Sequence, residues 1–264
     1  MSAHIGTITR GTTAPNRLRR CDRWLIHTEC GRLRDIVHPT VVDLGYGAYP
    51  VTTRELADRL HANVRSDVEV IGLEIDPMRV QQAISFEGEH LRFRRGGFEL
   101  AGMHVDVVRA FNVLRQYDES SVQSSWQEMY SHLRPAGLII DGTCDEIGRR
   151  SAWLAIRRTE DALAMPESLT LSTHVASLEK PSDLAERLPK ALIHHNVSGQ
   201  PVHEFLQAFD RAWAVAAPHG TFGARQRWIA AVELLQSQGF PVMGDRKRWT
   251  LGEVTVPWSV VAPN

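Results

Sequence analysis

The sequence predicts an α/β fold, with a mostly parallel β-sheet flanked by helices on both faces and a C-terminal α+β elaboration. Three observations predict it. Between residues 40 and 140, short apolar runs alternate with stretches of helical periodicity, the rhythm of βαβ units. The first two runs end in Gly45 and in Asp76-Pro77, where a strand gives way to a turn and a helix. After about residue 148 the rhythm changes.

Taken in order, residues 1–15 are a polar arm, and Leu18, Cys21, Trp24 and Leu25 recur at helical spacing from Asn16 to about His27. Thr40–Gly45 is short and apolar, as a strand buried on both faces must be. Thr52 and Glu55 have the spacing of a capping box, followed by an apolar face of Leu56, Ala57, Leu60 and Val64. Val68–Ile75 is the second strand, and a helix through Val80, Ala83 and Ile84 follows Pro77. Leu91–Phe98 and Val105–Val113 are the next two strands. Ser120–Leu133 is a helix with Val122, Trp126, Met129 and Leu133 on one face, and Leu138–Ile140 is the fifth strand. Beyond it, Ala152–Ile156 and Leu169–Val175 read as strands that could pair antiparallel. Val202–Ala216 and Arg225–Gln238 read as helices, with Gly239 stopping the second. Trp249–Val254 and Val256–Val261 close the chain as strands. Three regions result: an arm and helix over 1–37, a core over 38–148, and a C-terminal part over 149–264 that completes the sheet.

Composition narrows the class. Of 264 residues, 43% are hydrophobic and 23% charged, which is enough for a sizeable core. No apolar run approaches the roughly 20 residues of a membrane span. The first residues hold no apolar signal segment, and a cytoplasmic location is the expectation. Cys21, Cys30 and Cys144 form no CxxC pair and no Cys/His ligand spacing, so reduced thiols are expected rather than disulfides or zinc. A net charge of −1 argues against a broad nucleic-acid surface. The most basic stretch is the N-terminal arm, with Arg17, Arg19, Arg20 and Arg23. The Arg pairs at 94–95, 149–150 and 157–158, with Arg246-Lys247-Arg248, are either solvated faces or parts of an anion-binding surface.

The chemistry concentrates at two strand ends. Val41-Val-Asp43-Leu-Gly45-Tyr46-Gly47 runs from a strand into a GxG turn before a helix, where glycines let a ligand approach the backbone and the helix offers free N–H groups. About thirty residues later the second strand ends in Gly72-Leu-Glu74-Ile75, and a carboxylate there can accept bonds from ribose hydroxyls. A dinucleotide site would want a third glycine three residues after Gly47, where Pro50 stands.

With these motifs the sequence resembles the class I S-adenosylmethionine-dependent methyltransferase superfamily, whose fold is Rossmann-like, over roughly residues 38–148. VVDLGYG looks like its first motif, VIGLEIDP its second and VDVVRAFNVL its fourth, and LRPAGLIID resembles its helix-to-strand junction. The resemblance implies that S-adenosylmethionine is the cofactor. Asp43, Gly45 and Gly47, with Tyr46 in the same loop, would line its methionine end, and Glu74 and Ile75 would hold the ribose end. Two departures stand out. Tyr49 replaces a third glycine, and Gly97 stands where an acid usually reads the adenine amino group. Backbone groups and the Phe98 ring would then hold adenine, or Phe98 is an ordinary core residue.

Methyl transfer depends mainly on placing the two reactants, and a base is needed only when the acceptor must lose a proton. The resemblance puts Asn112 next to the transferred methyl, with Arg109, Arg115 and Tyr117 along the same edge. Asp141 leaves the fifth strand at the same rim and either orients an acceptor or caps a loop. His194-His195-Asn196 could supply a base or be ordinary hydrogen-bonded histidines. The expected acceptor is a small organic molecule. The alternatives are RNA held by the basic arm, and a cofactor-binding protein without turnover.

Overall fold

Where the sequence runs apolar, five parallel strands form: β1 (Thr40–Leu44), β2 (Glu69–Glu74), β3 (Leu91–Arg95), β4 (Val105–Phe111) and β5 (Leu133–Cys144). The computed structural model describes residues 4–8 and 13–264, so parts of the polar arm lie outside the described residues. By contact the chain divides into two units, Met1–Gly148 with Ile156–Met165 and Arg149–Ala155 with Pro166–Asn264.

In the first unit the strand order is β3-β2-β1-β4-β5, and all four neighbour pairs are parallel. The order reverses between β1 and β4. Right-handed crossovers therefore put α2 (Val51–Asn63) and α3 (Pro77–Ala83) on one face and α4 (Val122–Ser131) on the other. The same reversal opens a crevice at the carboxyl ends of β1 and β4, where α/β sheets bind ligands. All seven residues of β4 are buried, Asp106 and Arg109 included. α2 buries Leu56, Ala57 and Leu60, which at about 1.5–3 kcal/mol for each full-sized side chain outweighs its indifferent helix propensity.

Several sequence expectations change in detail. The first helix, α1, runs over Arg19–Asp35, well past His27, because Glu29 and Leu33 continue the buried face. The Thr52/Glu55 capping box does not form. α2 begins directly after Pro50, the Thr53 hydroxyl donates to Asp43 Oδ2 at 2.7 Å, and Glu55 accepts from the Asn16 main-chain N–H at 2.8 Å. Pro77 does open α3, with Asp76 accepting from Met78 N–H at 2.8 Å. β5 is longer than Leu138–Ile140 because the chain enters it through Arg134-Pro-Ala-Gly137 with a register shift opposite Val105 and Val107.

The second unit is α+β. β6 (Arg150–Arg157), β7 (Ser168–Thr173) and β8 (Glu253–Pro257) pair antiparallel in that order. After β7 come the single turn α5 (Lys190–Ile193), α6 (Pro201–Val215) and α7 (Ala224–Ser237). Gly239 at φ 90° stops α7. α6 and α7 share an aromatic core in which the Phe209 and Trp228 rings lie 5.0 Å apart. The two expected final strands reduce to one. Asp245 caps a short helix, α8 (Arg246–Trp249), and Gly252 at φ 75° passes so close to Thr173 that the strand starts only at Glu253. Among the described residues no helix is long and apolar enough to cross a membrane, and no group of His, Cys, Asp and Glu could hold a metal ion.

Candidate active site

A cleft opens beyond the carboxyl ends of β1, β2, β3 and β4, lined by Leu44, Gly45, Glu74, Ile75, Gly96, Gly97, Phe98, Val113, Tyr117 and the arm residues Gly6 and Thr7. Six candidates meet there: Gly45, Glu74, Ile75, Gly97, Phe98 and Tyr117. The first five owe their places to strand ends, and Tyr117 to the turn Leu114–Gln116 that follows β4. Gly45 leaves β1 at φ 72°, and a Cβ on it would stand 2.7 Å from Val113 Cγ2, so only glycine keeps the two loops this close.

Glu74 closes β2 as a buried carboxylate that ties the loops together. Its Oε1 accepts from Ile75 N–H at 2.9 Å, and its Oε2 accepts from Gly47 N–H at 3.0 Å. Arg79 Nη1 lies 3.4 Å from Oε2. Asp76 N–H reaches Oε1 at 3.3 Å, so all four acceptor directions of the carboxylate are engaged. Two of these contacts are at the long end of hydrogen bonding, and a closer donor would displace them. Phe98 is buried and meets the Tyr117 ring edge-on at 5.2 Å, giving the cleft an aromatic wall. Gly97 N–H donates to Glu99 Oε1 at 2.9 Å. The carboxylate at this loop thus comes from Glu99, two residues beyond the position where the resemblance looks for one.

The remaining candidates are engaged elsewhere. Asp43 is buried and joined to Arg109, whose Nε donates to its Oδ1 at 2.9 Å. Arg109 also pairs with Asp22 and donates to Thr52 O at 3.0 Å, while Arg59 pairs with the other oxygen of Asp22. Gly47 serves the site through its bond to Glu74. Tyr46 packs edge-on against Phe93 at 5.3 Å, and its buried hydroxyl has no hydrogen-bond partner among the described residues. Asn112, held at φ 59°, accepts from Cys144 N–H at 3.0 Å and places its amide nitrogen 3.4 Å from Cys144 Sγ, bridging the ends of β4 and β5. Asp141 is buried and accepts from Trp126 Nε1 at 3.0 Å, and burial pushes its carboxyl up to about 7 against the pull of that bond.

The basic residues are largely committed. Arg17 Nε donates to Asp145 O at 2.9 Å and Arg20 Nε to Gly148 O at 3.2 Å, leaving Arg19 and Arg23 exposed. Arg95 bonds Ile75 O at 3.1 Å, Arg157 pairs with Glu29 at 2.7 Å, and Arg248 pairs with Glu253. In the second unit, His203 Nδ1 lies 3.2 Å from Asn196 Oδ1.

Sequence reasoning missed Asp22, Glu99 and the arm residues 4–7. The carboxylate of Glu99 was within view, two residues after Gly97. The pairing of Asp22 with Arg109 spans 87 positions and leaves no local pattern.

No protein-family model matches the chain, and no curated protein does. Among solved structures, the DszA carbon methyltransferase is 18% identical with a TM-score of 0.41 over 48% of this chain and 35% of that one. The magnesium protoporphyrin IX methyltransferase of Synechocystis with bound SAH is 19% identical with a TM-score of 0.37, over 48% of this chain and 54% of that one. An S-adenosylmethionine-dependent methyltransferase from Clostridium acetobutylicum is 11% identical with a TM-score of 0.37, over 58% of this chain and 65% of that one. The chain therefore spans between about a third and two thirds of the length of the methyltransferase structures it is similar to.

Proposed function

We propose that the chain is an S-adenosylmethionine-dependent methyltransferase acting on a small organic acceptor. One observation carries the reading: the cleft brings Gly45, Glu74, Ile75, Gly97 and Phe98 together at the switch point of a 3-2-1-4-5 parallel sheet. The residues fit the group. Glu74 offers a buried carboxylate to ribose hydroxyls, Ile75 and Phe98 offer apolar faces to a flat base, and Gly45 removes the side chain that would block the approach. When bound, the cofactor supplies an electrophilic methyl group. The chain's own contribution is to hold and orient, since Glu74 is itself fixed by Gly47 and Ile75 before any ligand arrives.

A small acceptor is favoured over RNA because Arg17 and Arg20 of the basic arm are spent on carbonyl oxygens. Binding of RNA would fall steeply with salt through counterion release, and binding of a small acceptor would not. A second reading, a cofactor-binding protein without turnover, has its own support: Asp141 is buried on Trp126, and Asn112 is engaged with Cys144. Binding of the cofactor without label transfer to any acceptor pool would favour it.

Calorimetric titration with S-adenosylmethionine and S-adenosylhomocysteine tests the common core of both readings. Wild type should bind saturably, and Glu74→Gln should bind about 10–100-fold more weakly, the range for losing hydrogen bonds to a charged acceptor. Unchanged affinity in a folded Glu74→Gln protein would remove Glu74 from the site. Absence of binding at millimolar ligand, by wild type and by protein with the N-terminal arm removed, would sink both readings.

A further inference from the structure

The arm crosses the cleft in a defined pose. Ile5 N–H donates to Glu99 Oε2 at 2.8 Å, and Ile5 C=O accepts from Phe98 N–H at 2.9 Å. His4 Nδ1 lies 3.0 Å from Glu99 Oε1, and Thr7 N–H donates to the Tyr117 hydroxyl at 2.6 Å. Between them Gly6 rests on the cleft side chains. A Cβ there would stand 3.0 Å from Tyr117 Oη, 3.4 Å from Ile75 Cδ1 and 4.0 Å from Phe98 Cε2. A Cβ on Gly97 would stand only 2.1 Å from Ile5 O, so this pose and any side chain at position 97 exclude each other.

The bonding pattern has a chemical counterpart. Ile5 shows the protein one donor and one adjacent acceptor, and the edge of a 6-aminopurine shows the same pair as its amino N–H and neighbouring ring nitrogen. Glu99 and Phe98 N–H are complementary to either. Gly6 and Thr7 of the segment themselves line the cleft, so the segment fills part of the space a ligand would take. Glu99 is also settled in this role. Burial pulls its carboxyl up, but the bonds from Ile5, Gly97 and His4 outweigh it and hold it below its ordinary value.

We propose that residues 4–7 are an internal pseudo-ligand: through Glu99 and Phe98 N–H they occupy the base-reading end of the cleft, and a 6-aminopurine nucleoside enters only when they leave. The nature of the ligand rests on the S-adenosylmethionine reading of the same site. Competition of this kind lowers the apparent affinity by the fraction of molecules with the segment released.

The test is titration and stopped-flow binding of S-adenosylhomocysteine and of adenosine to three proteins. These are wild type, a variant lacking residues 1–8, and Ile5→Pro, which deletes one N–H, alters no cleft residue and keeps the test alive if the truncation misfolds. Both variants should bind about tenfold tighter or more and associate faster. Equal or weaker binding by the variants overturns the proposal while leaving the cofactor reading intact, because the segment would then be a wall of the site. No binding of either probe by any of the three proteins overturns the cofactor reading and the pseudo-ligand together.

Discussion

Replacing Arg109 by Met is expected to destabilise the first unit by about 3–5 kcal/mol, the cost of stripping a buried ion pair of one partner. Arg109 is wholly buried and stands between two buried carboxylates, Asp22 of α1 and Asp43 of β1. Burial alone would lower its pKa, and the two carboxylates override that, so it stays charged. Without it Asp43 keeps, among the described residues, only the Thr53 hydroxyl, and Asp22 keeps Arg59. Two carboxylates would then share the interior with one cation, Arg59, which pairs with Asp22 alone of the two. Thermal unfolding should shift down by on the order of 10 °C, at roughly 2–4 °C per kcal/mol for a unit of this size. The triple variant Asp22→Asn, Asp43→Asn, Arg109→Met should recover most of the loss, since replacing a whole buried network is often near neutral. A loss under about 1 kcal/mol in the single variant would show that the network adds little. The consequence reaches the cleft, because Asp43 lies two residues before Gly45 and anchors the end of β1.

This network also shows where sequence reading stops. The sheet was readable because β1, β2 and β4 are buried on both faces and must be written in apolar residues, with Gly45 and Asp76-Pro77 marking their ends. The same strand ends drew attention to Gly45 and Glu74, and both line the cleft. Arg109 breaks the apolar run of β4, and its two partners come from positions 22 and 43, so no local spacing announces it. The arm at residues 4–7 was unreadable because its bonds, apart from that of the His4 ring, are made by main-chain atoms of Ile5 and Thr7, which carry no side-chain signature. Thr52 and Glu55 failed in the opposite way. Their local pattern was right for a capping box, but tertiary partners claimed Thr53 and Glu55 once Pro50 had set the start of the helix.

Asp141 yields the second large effect, and its signature is a dependence on pH. Burial holds its folded-state carboxyl at about 7, against about 3.9 for an exposed aspartate. Below about pH 4 both states are protonated and the group costs nothing. Between pH 4 and 7 the folded state binds the proton more tightly, so stability falls as pH rises through that window. Three pKa units correspond to a penalty of about 4 kcal/mol, complete above pH 7. Asp141→Asn keeps an oxygen to accept from Trp126 Nε1 and cannot ionise. Its plot of unfolding free energy against pH should therefore lack this decline, and the variant should gain on wild type by a few kcal/mol from pH 4 to pH 8. The slope is the readout, because any fixed cost of seating the extra amide protons moves the whole curve without tilting it. Parallel curves for the two proteins would mean that Asp141 is ionised in the folded state, stabilised by a partner other than the indole. A tilted curve makes it a neutral acid below about pH 7, and in that range a neutral acid held on Trp126 secures β5 against α4 without carrying charge to the rim of the site.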